Sequence, residues 1–189
     1  ALTIILKRND PTAAAKQVSL TELGSIKIDK EERAKMLKTI PRTSIIGFLI
    51  GVLPGAGATI ASFLAYGMER NLVNDKEKEK FGKGSVHGLA APETANNAAC
   101  SGAFVPLLTL GIPGSGTTAV MLGALLGFGI QPGPRLYMTN PEIFWSVIMS
   151  MYIGMVVLLI LNLPLIPYIA RILAVPKNYL IPLILFFSI

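Results

Sequence analysis

Pro54-Gly55-Ala56-Gly57-Ala58-Thr59 and Pro113-Gly114-Ser115-Gly116-Thr117-Thr118 share the pattern Pro-Gly-x-Gly-x-Thr at an offset of 59 residues. Glycine lets a backbone turn sharply and approach a ligand with no side chain in the way. A helix that starts at such a turn presents unsatisfied N–H groups and the positive end of its dipole. Together these features suit an anion without any full positive charge. Pro54, Gly55, Ala56, Gly57 and Thr59 at the first tip are candidate substrate contacts, as are Gly114, Ser115, Gly116, Thr117 and Thr118 at the second. Thr59, Ser115, Thr117 and Thr118 add hydroxyl donors. Two tips that meet could hold two carboxylates of one substrate. The competing reading is that proline and glycine only kink packed helices, since both are common in membrane segments.

Between the tips, Glu93 is the only formal charge from residue 84 to residue 134, and Asn96 and Asn97 follow it. An acid at membrane depth usually faces a cavity or a partner. Amide oxygens next to such an acid suit a hard cation, so Glu93, Asn96 and Asn97 are the candidate ion-coupling residues, with sodium near Asn96 and Asn97 as the candidate ion. The alternative places Glu93 just after Pro92 at a helix N-terminus near the interface. His87, close to a charged loop, is expected at the interface rather than in a proton relay. The lone Cys100 supplies neither a disulfide framework nor a thiolate cluster. No metal centre, cofactor or catalytic residue is assigned. One His, one Cys and one acid in the uncharged runs are thin material for an enzyme.

These residues sit in a chain built for lipid. Of 189 residues, 52% are hydrophobic and 15% charged, well below the roughly 25% charged of an ordinary soluble domain. Mean hydropathy is +0.58. No Asp, Glu, Lys or Arg occurs in residues 43–68, 94–134 or 143–170, and uncharged runs of ~20 residues are what a bilayer demands. The net charge of +6 is no nucleic-acid footprint, because nine Lys/Arg fall in residues 7–42 and five in 69–83, between the apolar runs. Such loops are normally cytoplasmic. If both are, residues 43–68 cannot cross once. A re-entrant helical hairpin with its tip at Pro54-Gly55 follows, against the alternative of one kinked spanning helix.

The expected fold is an all-α integral membrane protein, multi-spanning, with two broken or re-entrant hairpins, as in one half of a repeat architecture. Residues 1–6 read as the end of a truncated spanning helix and 178–189 as the start of another. Residues 7–42 read as a cytoplasmic loop with an amphipathic helix. In it Asp29 caps, Glu32 returns the bond, Glu31 pairs with Lys35, and Pro41 ends the run. Residues 43–134 are the transport core and 135–177 a scaffold helix with loops. Gly47, Gly51 and Gly55, and also Gly123 and Gly127, stand at the four-residue spacing of close helix packing.

Five motifs in order resemble one family: Gly51-Val52-Leu53-Pro54-Gly55-Ala56-Gly57-Ala58, Phe81-Gly82-Lys83-Gly84, Ala91-Pro92-Glu93-Thr94-Ala95-Asn96-Asn97-Ala98, Leu108-Thr109-Leu110-Gly111-Ile112-Pro113-Gly114-Ser115, and Gly129-Ile130-Gln131-Pro132-Gly133-Pro134. They are similar to the large membrane subunit of the tripartite tricarboxylate transporters, over residues 40–134, in the second half of the family's chain. The resemblance implies a multi-pass permease of the bacterial inner membrane. It implies import of tricarboxylates or related organic carboxylates by a sodium or proton gradient. The implied partners are a periplasmic carboxylate-binding protein and a small membrane subunit, beside the polycarboxylate substrate and the lipid bilayer. A passive channel and a membrane-embedded enzyme or scaffold are the rival classes.

Overall fold

The computed structural model describes residues 28–173. The truncated helices expected at 1–6 and 178–189, and the basic stretch 7–27, lie outside the described residues. Among the described residues all regular structure is helical: α1 Lys30–Val52, α2 Gly57–Leu72, α3 Asp75–Lys78, α4 Val86–Gly102, α5 Phe104–Leu110, α6 Gly116–Gly127, α7 Leu136–Thr139 and α8 Pro141–Leu173.

The start of α1 is set by local chemistry. Asp29 accepts the Lys30 N–H at 2.7 Å, and Glu32 reaches back to the Asp29 N–H at 3.4 Å, closing a capping box. Glu31 pairs with Lys35 one turn on, at 2.7 Å. Pro41 does not end the run. α1, 23 residues long, continues through it to Val52, so no element boundary falls at residues 42–43. A proline deletes one backbone bond inside a helix. Here the Thr43 hydroxyl bonds the Thr39 carbonyl, and packing against two further helices outweighs local propensity.

The chain breaks after Val52 and resumes at Gly57, with Gly55 at φ +83° and Gly57 at φ +69°, conformations open mainly to glycine. α2 then runs back along α1. Arg42, ten residues before the break, meets Glu69 in the last turn of α2. α4 packs against both helices, running parallel to α1: His87 lies near Thr39 and Ala99 near Gly51.

This three-helix unit is built from small residues at every fourth position. The buried positions are Thr39, Thr43, Gly47 and Gly51 on α1, Ala61, Ala65 and Glu69 on α2, and His87, Ala91, Ala95, Ala99 and Gly102 on α4. A Cβ added at Gly47 would lie 2.6 Å from the Ala95 Cα, and one at Gly51 would lie 2.6 Å from the Ala99 Cα. The two backbones therefore touch. Contact of this kind rests on dispersion between close-packed backbones, the form of helix association suited to lipid. Gly55, Gly123 and Gly127 have open space around them and take no part in it.

Residues 28–152 form one compact unit, and residues 153–173, within α8, belong to another. Over Pro141–Ile166 mean hydropathy reaches 2.4 and no residue of that window is buried. At 1.5 Å per residue these 26 residues exceed the roughly 30 Å of a hydrocarbon core. Among the described residues α8 is the one helix long and apolar enough to cross a membrane; α6 is apolar but short.

Candidate functional site: a cleft between two glycine tips

The two tips lie in one place. A cleft of about 660 Å³ is lined by Gly55, Gly57, Ala58 and Thr59 from the first tip and by residues 113–119 from the second. Gly114 brings them together: a Cβ there would sit 3.3 Å from the Ala103 Cβ and 3.6 Å from the Gly51 carbonyl oxygen. No lining residue is charged. Of the expected contacts, Gly55, Gly57, Thr59, Gly114, Ser115, Gly116, Thr117 and Thr118 line the cleft, whereas Pro54 and Ala56 only shape the turn. Cys100 and Phe104 complete the wall. Neither was singled out in the sequence: Gly102 and Pro106 flank the turn at Ala103, but they do not show that Phe104 faces the tips.

The tips are chemically unequal. α2 starts at Ala56 with no side-chain cap, so its first N–H groups are left to whatever enters the cleft. α6 starts with a capping box: the Ser115 hydroxyl accepts the Thr118 N–H at 3.2 Å and the Thr118 hydroxyl accepts the Ser115 N–H at 2.8 Å. Thr118 is buried, and its hydroxyl donates to the Ser115 carbonyl at 2.9 Å. The hydroxyls of Ser115 and Thr118 thus serve the turn. Those of Thr59 and Thr117, on exposed residues, are left for a ligand.

The acid-amide segment is less concentrated than expected. Glu93 is mid-helix in α4, with Pro92 inside the helix rather than at its start. Glu93 and Asn97 are exposed, and the Asn97 amide nitrogen donates to the Glu93 carbonyl at 2.9 Å. Asn96 is half-buried and points about 100° away around the helix, where its oxygen meets the Cys100 thiol at 3.8 Å. Glu93 and Asn97 thus share one exposed face of α4, and Asn96 lies on the next.

A second polar cluster lies at the other end of the hairpin. Glu69 is fully buried and accepts Arg42 Nε at 2.7 Å on one oxygen. Its other oxygen takes Arg42 Nη2 and the Thr39 hydroxyl, the latter at 2.8 Å. His87 Nδ1 lies 2.9 Å from the same oxygen and 2.7 Å from Thr39 Oγ1. Burial pushes the Glu69 carboxyl up, but the bonds from Arg42, Thr39 and His87 outweigh it and hold the group below the usual carboxylate range. His87 is buried between three helices, at the end of the hairpin next to the charged loop. One turn further out, Glu77 bonds Lys80 at 2.8 Å and Lys35 at 3.2 Å; these bonds hold its carboxyl low and, with Glu31, hold the Lys35 ammonium high.

No solved structure matches this chain. An Agrobacterium vitis protein described as an uncharacterized 52.8 kDa protein in the TAR-I ttuC' 3'region is 41% identical over 181 residues, covering 96% of this chain and 36% of that protein. A second Agrobacterium vitis protein, described as an uncharacterized protein in the TAR-II ttuC' 3'region, is 47% identical over 142 residues, covering 75% of this chain and 58% of its own. The chain therefore spans roughly a third to three fifths of the curated relatives it matches. The profile of the Tripartite tricarboxylate transporter TctA family matches residues 1–189, well beyond the motifs at 40–134, and the chain belongs to that family of transporters.

Proposed function

We propose that the chain is the substrate-handling part of a multi-pass permease of the bacterial inner membrane that imports tricarboxylates or related polycarboxylates by secondary transport. The cleft binds the anion, with the bare N-terminus of α2 and the Thr59 hydroxyl on one carboxylate and the α6 start with Thr117 on another. One observation carries the reading: two glycine tips of the same pattern line a single uncharged cleft. Charge-assisted hydrogen bonds to a carboxylate are about twice as strong as neutral ones. A site made of them, without Lys or Arg, holds an anion yet lets it leave. The helical hairpin of α1 and α2 lies with its tip at membrane depth, where broken backbone is tolerated if it lines a cavity. The family supports a periplasmic binding protein and a small membrane subunit as partners.

The test is labelled-citrate uptake into proteoliposomes holding the full-length permease, with and without its partner subunits and with an imposed ion gradient. Gradient-dependent accumulation that needs the binding protein is expected. Flux that only equilibrates citrate would favour a passive channel, and chemical conversion of citrate an embedded enzyme.

A further inference from the structure

The turn between α4 and α5 touches both glycine tips. A Cβ added at Gly102, the last residue of α4, would lie 3.1 Å from the Gly51 Cα and 3.1 Å from the Val52 nitrogen, at the entry to the first tip. The Cβ of the next residue, Ala103, lies 3.3 Å from where a Cβ at Gly114 would stand in the second. This turn is therefore the floor of the cleft, and the side chains beside it that line the cleft are Cys100 and Phe104. Among the described residues that line the cleft, Phe104 is the one large apolar side chain; Ala58, Pro113 and Ala119 are small. Phe104 is half-buried, and Pro106, Leu107 and Leu108 behind it are buried. The ring is thus carried on a packed element and presents apolar surface to whatever is held between the tips.

We propose that Phe104 is a specificity-determining residue, which selects carboxylates by the groups on the carbons that join their two tip-bound ends. This rests on the reading of the cleft as the carboxylate site. The tips supply N–H and hydroxyl donors for two terminal carboxylates. The floor supplies almost nothing polar for the carbons between them, because the Cys100 thiol is a weak donor and already faces the Asn96 oxygen at 3.8 Å. A methylene laid on the ring leaves water favourably. A hydroxyl in the same place loses its water partners and gains none. Citrate carries methylenes on both arms, while its hydroxyl and third carboxylate sit on the central carbon and turn away from the floor. Isocitrate has the same atoms and the same three carboxylates, but its hydroxyl is on an arm. What separates the two isomers is where that hydroxyl falls.

The full-length permease in proteoliposomes tests this, with the binding protein left out so that its own selection does not enter. Cys100, exposed on the same wall, reports occupancy once every other cysteine is replaced. Citrate is expected to slow its reaction with N-ethylmaleimide, and isocitrate to need roughly tenfold more for the same protection. In Phe104→Ser the citrate concentration for half-protection should rise roughly 4- to 15-fold, the worth of one or two buried methylenes, with little change for isocitrate. Phe104→Leu, which keeps an apolar floor, should keep the preference for citrate. A merely structural role would move both isomers alike. Equal protection by the two isomers in the wild type, or a preference unchanged in Phe104→Ser, would overturn the proposal. The wild-type comparison decides it even where the serine variant fails to fold. Citrate that is transported by the complete system without protecting Cys100 would instead sink the cleft as the carboxylate site.

Discussion

Thr117 and Thr118 are neighbours with opposite employment, and this gives the sharpest residue-scale expectation. Thr117→Val should weaken citrate affinity by about 1–3 kcal/mol, roughly 5- to 150-fold in Kd, with stability unchanged. Thr118→Val removes half of a capping box and should lower stability by about 1 kcal/mol while affinity changes little. Binding by calorimetry and melting in detergent separate the two; the reverse pattern would mean that the cap opens to the ligand. Gly114→Val should abolish uptake, because a Cβ there would already lie 3.3 Å from the Ala103 Cβ before two further methyls are added. Both tips were legible because glycine and proline act on their own backbone. That Thr118 serves the turn was legible only in part: the Ser-x-x-Thr spacing is there in the sequence, but its burial is decided by the fold.

At the scale of elements, the Arg42–Glu69 pair holds α1 to α2. Arg42→Met would leave a buried carboxylate without its cation, at a cost of about 3 kcal/mol in stability since the arginine is partly exposed. The same pair sets an acid limit. Glu69 has its folded pKa below the ordinary value, so the unfolded chain takes up the proton first as pH falls. Its contribution is therefore complete above the ordinary carboxylate range and lost as pH drops through the folded value. Melting temperature in detergent from neutral to acid pH should fall more steeply in the wild type than in Glu69→Gln; parallel curves would remove Glu69 from the acid response. None of this cluster could be read from the sequence. Its bonded pairs are 18 to 48 residues apart, whereas the Asp29 cap and the Glu31–Lys35 pair, legible in advance, act within one turn. Pro41 misled for the converse reason, as the contacts that keep α1 helical come from α2 and α4.

For the whole molecule, the antiparallel hairpin makes a topological statement. Single cysteines at Lys38 and Lys80, on a Cys100→Ala background, should react with an impermeant reagent from the same face of the membrane. Reaction from opposite faces would replace the re-entrant hairpin by a single span. The multi-spanning design was inferred from three uncharged runs, and the structure divides them differently. Residues 143–170 lie in one unbroken helix, while 43–68 and 94–134 are cut by their glycine tips into pieces too short to cross alone. Length and hydropathy show where lipid is; only the tips show where the chain turns back.

The packing of α1 on α4 has a further consequence. Small residues at every fourth position let the two backbones touch along their length, yet Gly102 makes the register single-valued: a Cβ there would collide with the Phe48 carbonyl oxygen, and a slide of one turn would bring Ala98 to that place. The polar bonds agree with it, since Thr39 to His87 and His87 to Glu69 tie α4 to both arms of the hairpin in the same alignment. The three helices are keyed, close enough to slide and seated in one position.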